Sequence, residues 1–202
     1  MKFAQYYVPS IVTFGIISAC YTNLAFTICI RRDSGQLKRM RGTPLAPVNY
    51  LGGIFGSVIL IALILTALVT ALGILVYGVT FPGHYLAMAL AIIAGAFCFG
   101  AIGVAVSTVV PNEDAAPAII NFIIFPLLFI SGTFGTVSDT SAVGRIANVF
   151  PVRHLLKAMV KVFSPFEAGN AIGWSHLAVL VAWAVVGTLI AVRRFRWEPN
   201  RK

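Results

Sequence analysis

The sequence predicts an all-α integral membrane protein with five spanning helices, a short basic helix on the cytoplasmic side and a short helix lying in the membrane interface. Three observations predict it. From Gly42 to Asn112 there is no Asp, Glu, Lys or Arg, a run of 71 residues; a water-soluble fold needs charged surface within every stretch of that length, and a bilayer does not. The chain is 59% apolar and only 10% charged, where an ordinary soluble domain carries about 25% charged residues. Its 15 Lys and Arg gather at the ends of apolar runs, a pattern that orients helices against a membrane surface and does not form a stripe for nucleic acid.

At about 20 residues per crossing, the 202 residues leave room for five or six spans, short loops and no further domain, so 1–202 reads as one membrane domain. The first span is predicted over 8–30 and stops at Arg31-Arg32. Ile17-Ser18-Ala19-Cys20 looks like a lipoprotein cleavage site, but the chain stays apolar from Leu24 to Ile30, so the segment reads as a retained span. The second span is predicted over 50–77 and ends in Gly78-Val79-Thr80-Phe81-Pro82-Gly83, an uncharged turn with two breakers. The third covers 84–110 and stops at Pro111-Asn112-Glu113-Asp114. The fourth covers 115–137, with Pro126 inside it as a candidate kink. The fifth covers 171–192 and ends at Arg193-Arg194-Phe195-Arg196.

Residues 151–163 follow another pattern. Val152, Leu155, Leu156, Met159, Val160 and Phe163 alternate at helical spacing with Arg153, Lys157 and Lys161, which gives one greasy face and one wet face. Thirteen residues are too few to cross, so this helix is expected to lie in the interface plane. The bases of 31–41 and of the tail after Val192 place both segments, with the loop 31–49, in the cytoplasm. Five spans then put the basic helix 151–163 outside, against the simple charge rule. Gly52/Gly56, Ala96/Gly100 and Gly169/Gly173 offer small-residue pairs for close helix packing.

The span interiors contain no acidic or basic residue, which argues against a proton-driven pump, because buried ionisable groups usually mark proton and ion relays. Asn23 and Asn121 are the notable polar groups there; each either joins two helices by a hydrogen bond or lines a substrate path. Catalytic motifs are missing: no G-x-x-x-x-G-K-[ST] loop, no G-x-S-x-G, no H-E-x-x-H. Cys20, Cys29 and Cys98 sit inside apolar runs as packing residues, with no metal-binding spacing. His84, His154 and His176 read as interfacial side chains, with an Asp139–His154 acid–base pair as the one enzymatic arrangement available. Residues 33–41 read as a short cytoplasmic helix: Asp33 or Ser34 caps it, Leu37 and Met40 form an apolar face, and Thr43-Pro44 ends it. The plainer alternative is a solvated loop that only sets topology.

Arg32-Asp33-Ser34-Gly35-Gln36-Leu37, then Met40, then Thr43-Pro44-Leu45, resembles the cytoplasmic loop of ATP-binding-cassette (ABC) type-2 exporter permeases, whose pattern runs Arg-Glu-x-Gly-Thr-Leu, a leucine, and Thr-Pro-Leu. Here Asp33, Gln36 and Met40 replace the family's Glu, Thr and Leu. Pro126-Leu127-Leu128-Phe129-Ile130-Ser131-Gly132 is similar to its Pro-x-x-Phe-x-Ser-Gly segment, and Phe150-Pro151-Val152-Arg153-His154 to its entry into short extracellular helices. The resemblance implies an ATP-driven exporter's membrane subunit without catalytic, cofactor or metal residues of its own, set in the cell membrane. It pairs with a second identical or related permease subunit, and each docks a separate ATPase subunit that binds ATP and Mg. Arg32, Asp33, Gly35, Leu37, Arg39, Met40 and Arg41 are the residues expected to couple to that ATPase. Asn23, Asn121, Ser131 and Gly132 are the candidates for the translocation path, and Arg153, Lys157 and Lys161 for interfacial seating. The cargo classes implied are hydrophobic drugs, lipids and glycolipids. Family members have six spans, and Met1 falls just before the second, so the first span is expected to be absent, by fragmentation, a mis-started frame or a five-span design. The alternatives are a membrane-embedded lipid-modifying enzyme and a non-transporting assembly protein.

Overall fold

The computed structural model describes residues 3–42, 47–79, 83–135, 137–164 and 172–194, and every regular element among them is helical. The first span is one long rod: α1 (Phe3–Ile17), a wide π-helical turn (Ser18–Thr22) and α2 (Asn23–Asp33). A short α3 (Gln36–Arg41) follows, then the long α4 (Pro47–Tyr77) and α5 (Tyr85–Ser107). Next come α6 (Ala116–Ser131), two short helices α7 (Ala142–Ala147) and α8 (Pro151–Val162), and α9 (Trp174–Arg194). Four of these rods are long and apolar enough to cross a bilayer: Tyr6–Asp33, Gly52–Tyr77, Tyr85–Ser107 and Trp174–Arg194.

The predicted fourth span, 115–137, is corrected: the helix is only Ala116–Ser131. Gly132 takes φ +90°, a left-handed conformation that ends helices and suits glycine. At 1.5 Å per residue, 16 residues reach about 24 Å, short of a hydrocarbon core of about 30 Å. Its two ends nevertheless connect to opposite ends of the bundle, as the contacts below show.

The central rod is α5. It packs along α9, α4, α8 and the π-helical turn. Two glycines allow backbones to meet there. A Cβ on Gly103 would lie 2.9 Å from the Tyr21 carbonyl oxygen, and one on Gly187 would lie 3.0 Å from the backbone of Ala101 and Ile102. Close approach of this kind holds helices together in lipid, where no hydrophobic drive separates helix from solvent. The pair Gly52/Gly56 instead faces open space, and Gly100 receives the Phe55 ring, not another backbone. Gly169 lies outside the described residues. On the periphery, Leu60, Leu68, Leu72 and Leu75 of α4 and Val181, Val185 and Leu189 of α9 are exposed, as side chains facing acyl chains should be.

The rods alternate in direction, which defines two ends. Tyr6, Tyr77, Tyr85, Ser131 and Trp174 mark one; Asp33, Tyr50, Ser107, Ala116 and Arg194 mark the other.

Candidate functional site

At the Asp33 end, α2 turns into α3 through Gly35, at φ +72°. Neither Asp33 nor Ser34 caps α3, which corrects the sequence expectation: Gly35 is its N-cap. Asp33 is used differently. Its Oδ2 accepts a 2.6 Å hydrogen bond from the Glu113 backbone N–H, and its Oδ1 accepts from Arg32 Nε at 3.1 Å. Ser34 Oγ donates to the Arg31 carbonyl at 3.3 Å.

Arg32 is buried. Its Nη1 donates to the Ser107 carbonyl at 3.0 Å and its Nη2 to the Val110 carbonyl at 2.9 Å. Those carbonyls lie at and just beyond the end of α5, where helix geometry leaves oxygens without partners and the macrodipole favours a cation. Leu37 is fully buried in the main core and Met40 packs against it. Outward, α3 presents Gln36, Lys38 and Arg39, and the 111–114 turn exposes Glu113 and Asp114. Arg39 also donates to the Ser34 carbonyl at 3.3 Å. The side chain of Arg41 and the whole of Thr43-Pro44-Leu45 lie outside the described residues, as does the tail from 195 onward.

This arrangement is a bonded junction of four elements. Arg32 ties the end of α2 to the end of α5, Asp33 ties it to the 111–114 turn that leads into α6, and Leu37 anchors α3 in the core.

The path candidates do not converge. Asn23 is exposed in a cleft of about 480 Å³ between α2 and α4, which also contains Thr27, Arg31, Asn49, Tyr50 and Ser57. There it accepts from Thr27 Oγ1 at 3.4 Å, and Arg31 Nη1 donates to the Tyr50 hydroxyl at 3.3 Å. Asn121 is half-buried on α6 beside the exposed Phe122, Phe125 and Phe129. Ser131 and Gly132 are buried at the opposite end.

That opposite end holds a second junction. The Tyr6 hydroxyl donates to the Gly132 carbonyl at 2.7 Å. Arg153, expected on a wet face, is buried: Nη1 donates to the Ser131 carbonyl at 3.1 Å, Nη2 to the Val137 carbonyl at 2.9 Å and to Asp139 at 2.6 Å, and Nε to Asn148 at 3.0 Å. The reason matches that at Arg32, since α6 ends there and its terminal carbonyl needs a donor. Lys157 donates to Asp139 at 2.7 Å and Asn148 at 2.9 Å, and is partly covered, as is Lys161. The Lys157 and Arg153 donors hold the Asp139 carboxyl well below the usual carboxylate range. Asp139 therefore does not pair with His154. Instead His154 Nε2 donates to the Asn148 carbonyl at 2.8 Å, and its Nδ1 lies 2.9 Å from His176 Nδ1. With both imidazoles neutral, His176 must be the donor of that bond, because His154 has already spent its one N–H. Sequence spacing gave no sign of this pair; the packing of α9 beside α8 creates it.

A family model described as "ABC-2 family transporter protein" matches residues 1–193. The chain belongs to the ABC-2 transporter family. It is a multi-pass membrane protein of a transporter permease family. No curated protein and no solved structure matches the chain.

Proposed function

We propose that this permease is the membrane half of an ATP-driven exporter, worked by a separate ATPase that docks on α3. The observation that carries the reading is the junction at Arg32 and Asp33: an exposed basic helix follows directly on the end of α2, which is bonded to the end of α5 and to the turn before α6. Arg39 and the neighbouring Lys38 form the docking ridge, and Arg41 follows them in sequence as a further docking residue; Arg32, Asp33, Gly35, Leu37 and Met40 hold the ridge in place and transmit its movement. ATP and Mg bind the partner. The α3 end, with Arg193 and Arg194 of α9, faces the cytoplasm under the positive-inside rule. At the other end Arg153 and Lys157 share Asp139, which lessens the conflict of a basic helix outside.

Two permease copies, identical or related, enclose the path. The exposed Phe122, Phe125 and Phe129 of α6, next to Asn121, support an apolar wall for a hydrophobic drug, lipid or glycolipid cargo. Asn23 and its polar cleft support a place for the cargo's hydrogen-bonding head. Ser131 and Gly132 brace the outer end of that wall through Arg153 and Tyr6.

Affinity purification of the tagged permease from its native membrane tests this. A nucleotide-binding subunit is expected to come with it, with ATPase activity that rises on adding cargo. Charge reversal at Arg39 and Arg41 should release that subunit and leave the permease in the membrane. Undiminished co-purification from the reversed variant overturns the docking assignment.

A further inference from the structure

The guanidiniums of Arg32 and Arg153 are spent on the chain itself. Arg32 donates to Asp33, Ser107 and Val110, and Arg153 to Ser131, Val137, Asp139 and Asn148. Arg31 differs. Half-buried in the last turn of α2, it lines the cleft of about 480 Å³ between α2 and α4. Among the described residues its guanidinium donates only to the Tyr50 hydroxyl, at 3.3 Å, which leaves four of its five N–H groups to meet a ligand. The cleft lies within the roughly 300–1,000 Å³ of small-ligand sites.

The rest of the lining is rich in donors. The Tyr50 hydroxyl accepts from Arg31 and keeps its own O–H to give. Asn23 accepts from Thr27 through Oδ1 and keeps its NH2 group, and Asn49 adds a second amide. No acid lines the cleft, so Arg31 gives it a formal surplus of one positive charge. Asp33, the nearest acid in sequence, is held by Arg32 and by the Glu113 backbone N–H. Surplus donors with one unopposed planar cation suit an oxyanion, which a guanidinium grips through two parallel N–H groups.

The cleft also has a direction. Arg31 and Tyr50 stand at the ends of their helices, whereas Asn23 lies eight residues further into the rod, about 12 Å at 1.5 Å per residue. Leu24, Ile54 and Val58 line the cleft on the same inward side. A ligand therefore meets charge at the boundary and an apolar wall deeper in the span.

We propose that this cleft binds an amphiphile with a singly charged oxyanion head, a carboxylate or a phosphodiester, held by the Arg31 fork and the Tyr50 hydroxyl, with its tail along Leu24, Ile54 and Val58. This rests on the reading that the cleft receives the cargo's head, and it gives that head its charge.

Decanoate, methyl decyl phosphate, decanol and acetate are titrated separately into the detergent-purified full chain. Binding is read by native mass spectrometry and by the shift in thermal unfolding. At least one of the two acids should bind about tenfold or more tightly than decanol, the worth of a charge-assisted contact; the tighter acid names the head. Arg31→Gln should remove that preference, while Arg145→Gln, at the opposite end of the bundle, keeps it. Tyr50→Phe should weaken acid binding several-fold and leave decanol unchanged. Equal affinity of decanol and both acids, or a folded Arg31→Gln chain that retains the preference, overturns the site. Acetate binding as tightly as decanoate overturns the amphiphile. If an acid binds through Arg31 yet leaves the ATPase activity of the co-purified complex unchanged, the site stands and the cargo reading falls.

Discussion

Arg32 donates from Nη1 to the Ser107 carbonyl at 3.0 Å, joining the end of the first rod to the end of the central one. Arg153 repeats the device at the opposite end, donating to the Ser131 carbonyl that closes α6. Each arginine is buried, each satisfies carbonyls that its target helix leaves open, and each shares an aspartate: Asp33 in one case, Asp139 in the other. The bundle is thus tied at both membrane boundaries by a guanidinium, while among the described residues its middle is joined by packing, by the Tyr21 hydroxyl, which donates to the Ile120 carbonyl at 3.1 Å, and by the Cys20 thiol, which donates to the Val58 carbonyl at 3.8 Å.

Arg32→Ala should lower stability by about 3 kcal/mol, because it uncovers two buried carbonyls and leaves Asp33 without its cation. Arg32→Lys should recover less than half of that, since one ammonium cannot span the two carbonyls and the carboxylate that the planar fork reaches together. Thermal unfolding in detergent, converted with the enthalpy of each transition, measures both. A lysine variant as stable as the parent removes the bidentate argument.

Leu37 and Arg39 are neighbours in sequence with opposite expected phenotypes. Leu37 is fully buried and Arg39 exposed. Leu37→Asp places a charge in the core and should cost about 3 kcal/mol or more, with loss of folded protein. Arg39→Glu should leave the unfolding midpoint within about 0.5 kcal/mol of the parent and reduce ATPase association. Size-exclusion profiles alongside co-purification separate the two. A monodisperse, stable Leu37→Asp chain contradicts the buried position.

Much of this fold was legible in the sequence, and the failures share a cause. The uncharged run from Gly42 to Asn112 forecasts α4 and α5 well because hydropathy is a local property. The amphipathic spacing of 151–163 likewise forecasts α8. What could not be read was which polar groups turn inward. Arg153 sits at the same four-residue spacing as Lys157 and Lys161, yet it is buried because α6 needs a donor at Ser131, a demand set 22 residues away. Arg32 is similar, called inward by carbonyls at Ser107 and Val110. The early end of α6 did carry a signal: Ser131-Gly132 is a helix-stopping pair, masked by the uncharged residues that follow. At α3, the Leu37–Met40 spacing was readable; that its apolar face turns into the chain's own core was not.

Asp139 supports an acid-pH prediction. Its carboxyl is held well below the usual range by Lys157 first and Arg153 second. A depressed folded-state value means that the ionised form stabilises the fold above the unfolded value of about 3.9, and that this contribution is lost as pH falls below it. The side chain is 59% exposed, so solvent screening limits the gain to about 1 kcal/mol or less. From pH 8 to 5 the stability difference between the parent and Asp139→Asn should stay constant. From pH 4 downward it should shrink toward zero. A difference that grows on acidification would reverse the sign and refute the pairing.

Thr70 carries a hydroxyl with no bond among the described residues. Its Oγ1 is buried in α4 without a hydrogen-bond partner among the described residues, whereas Thr66, one turn earlier, donates to the Ala62 carbonyl at 2.8 Å. Ser57, Thr13 and Thr188 bond back to the preceding turn in the same way. In a span no water replaces a missing partner, so the Thr70 hydroxyl bears its desolvation cost uncompensated. Thr70→Val keeps the shape and removes the hydroxyl; it should stabilise the chain by about 0.5–1 kcal/mol. Thr66→Val removes a bonded hydroxyl and should be neutral or cost about 0.6 kcal/mol. Unfolding midpoints of the two variants, measured together, give the sign. If Thr70→Val is the less stable of the two, its hydroxyl has a partner in the membrane after all.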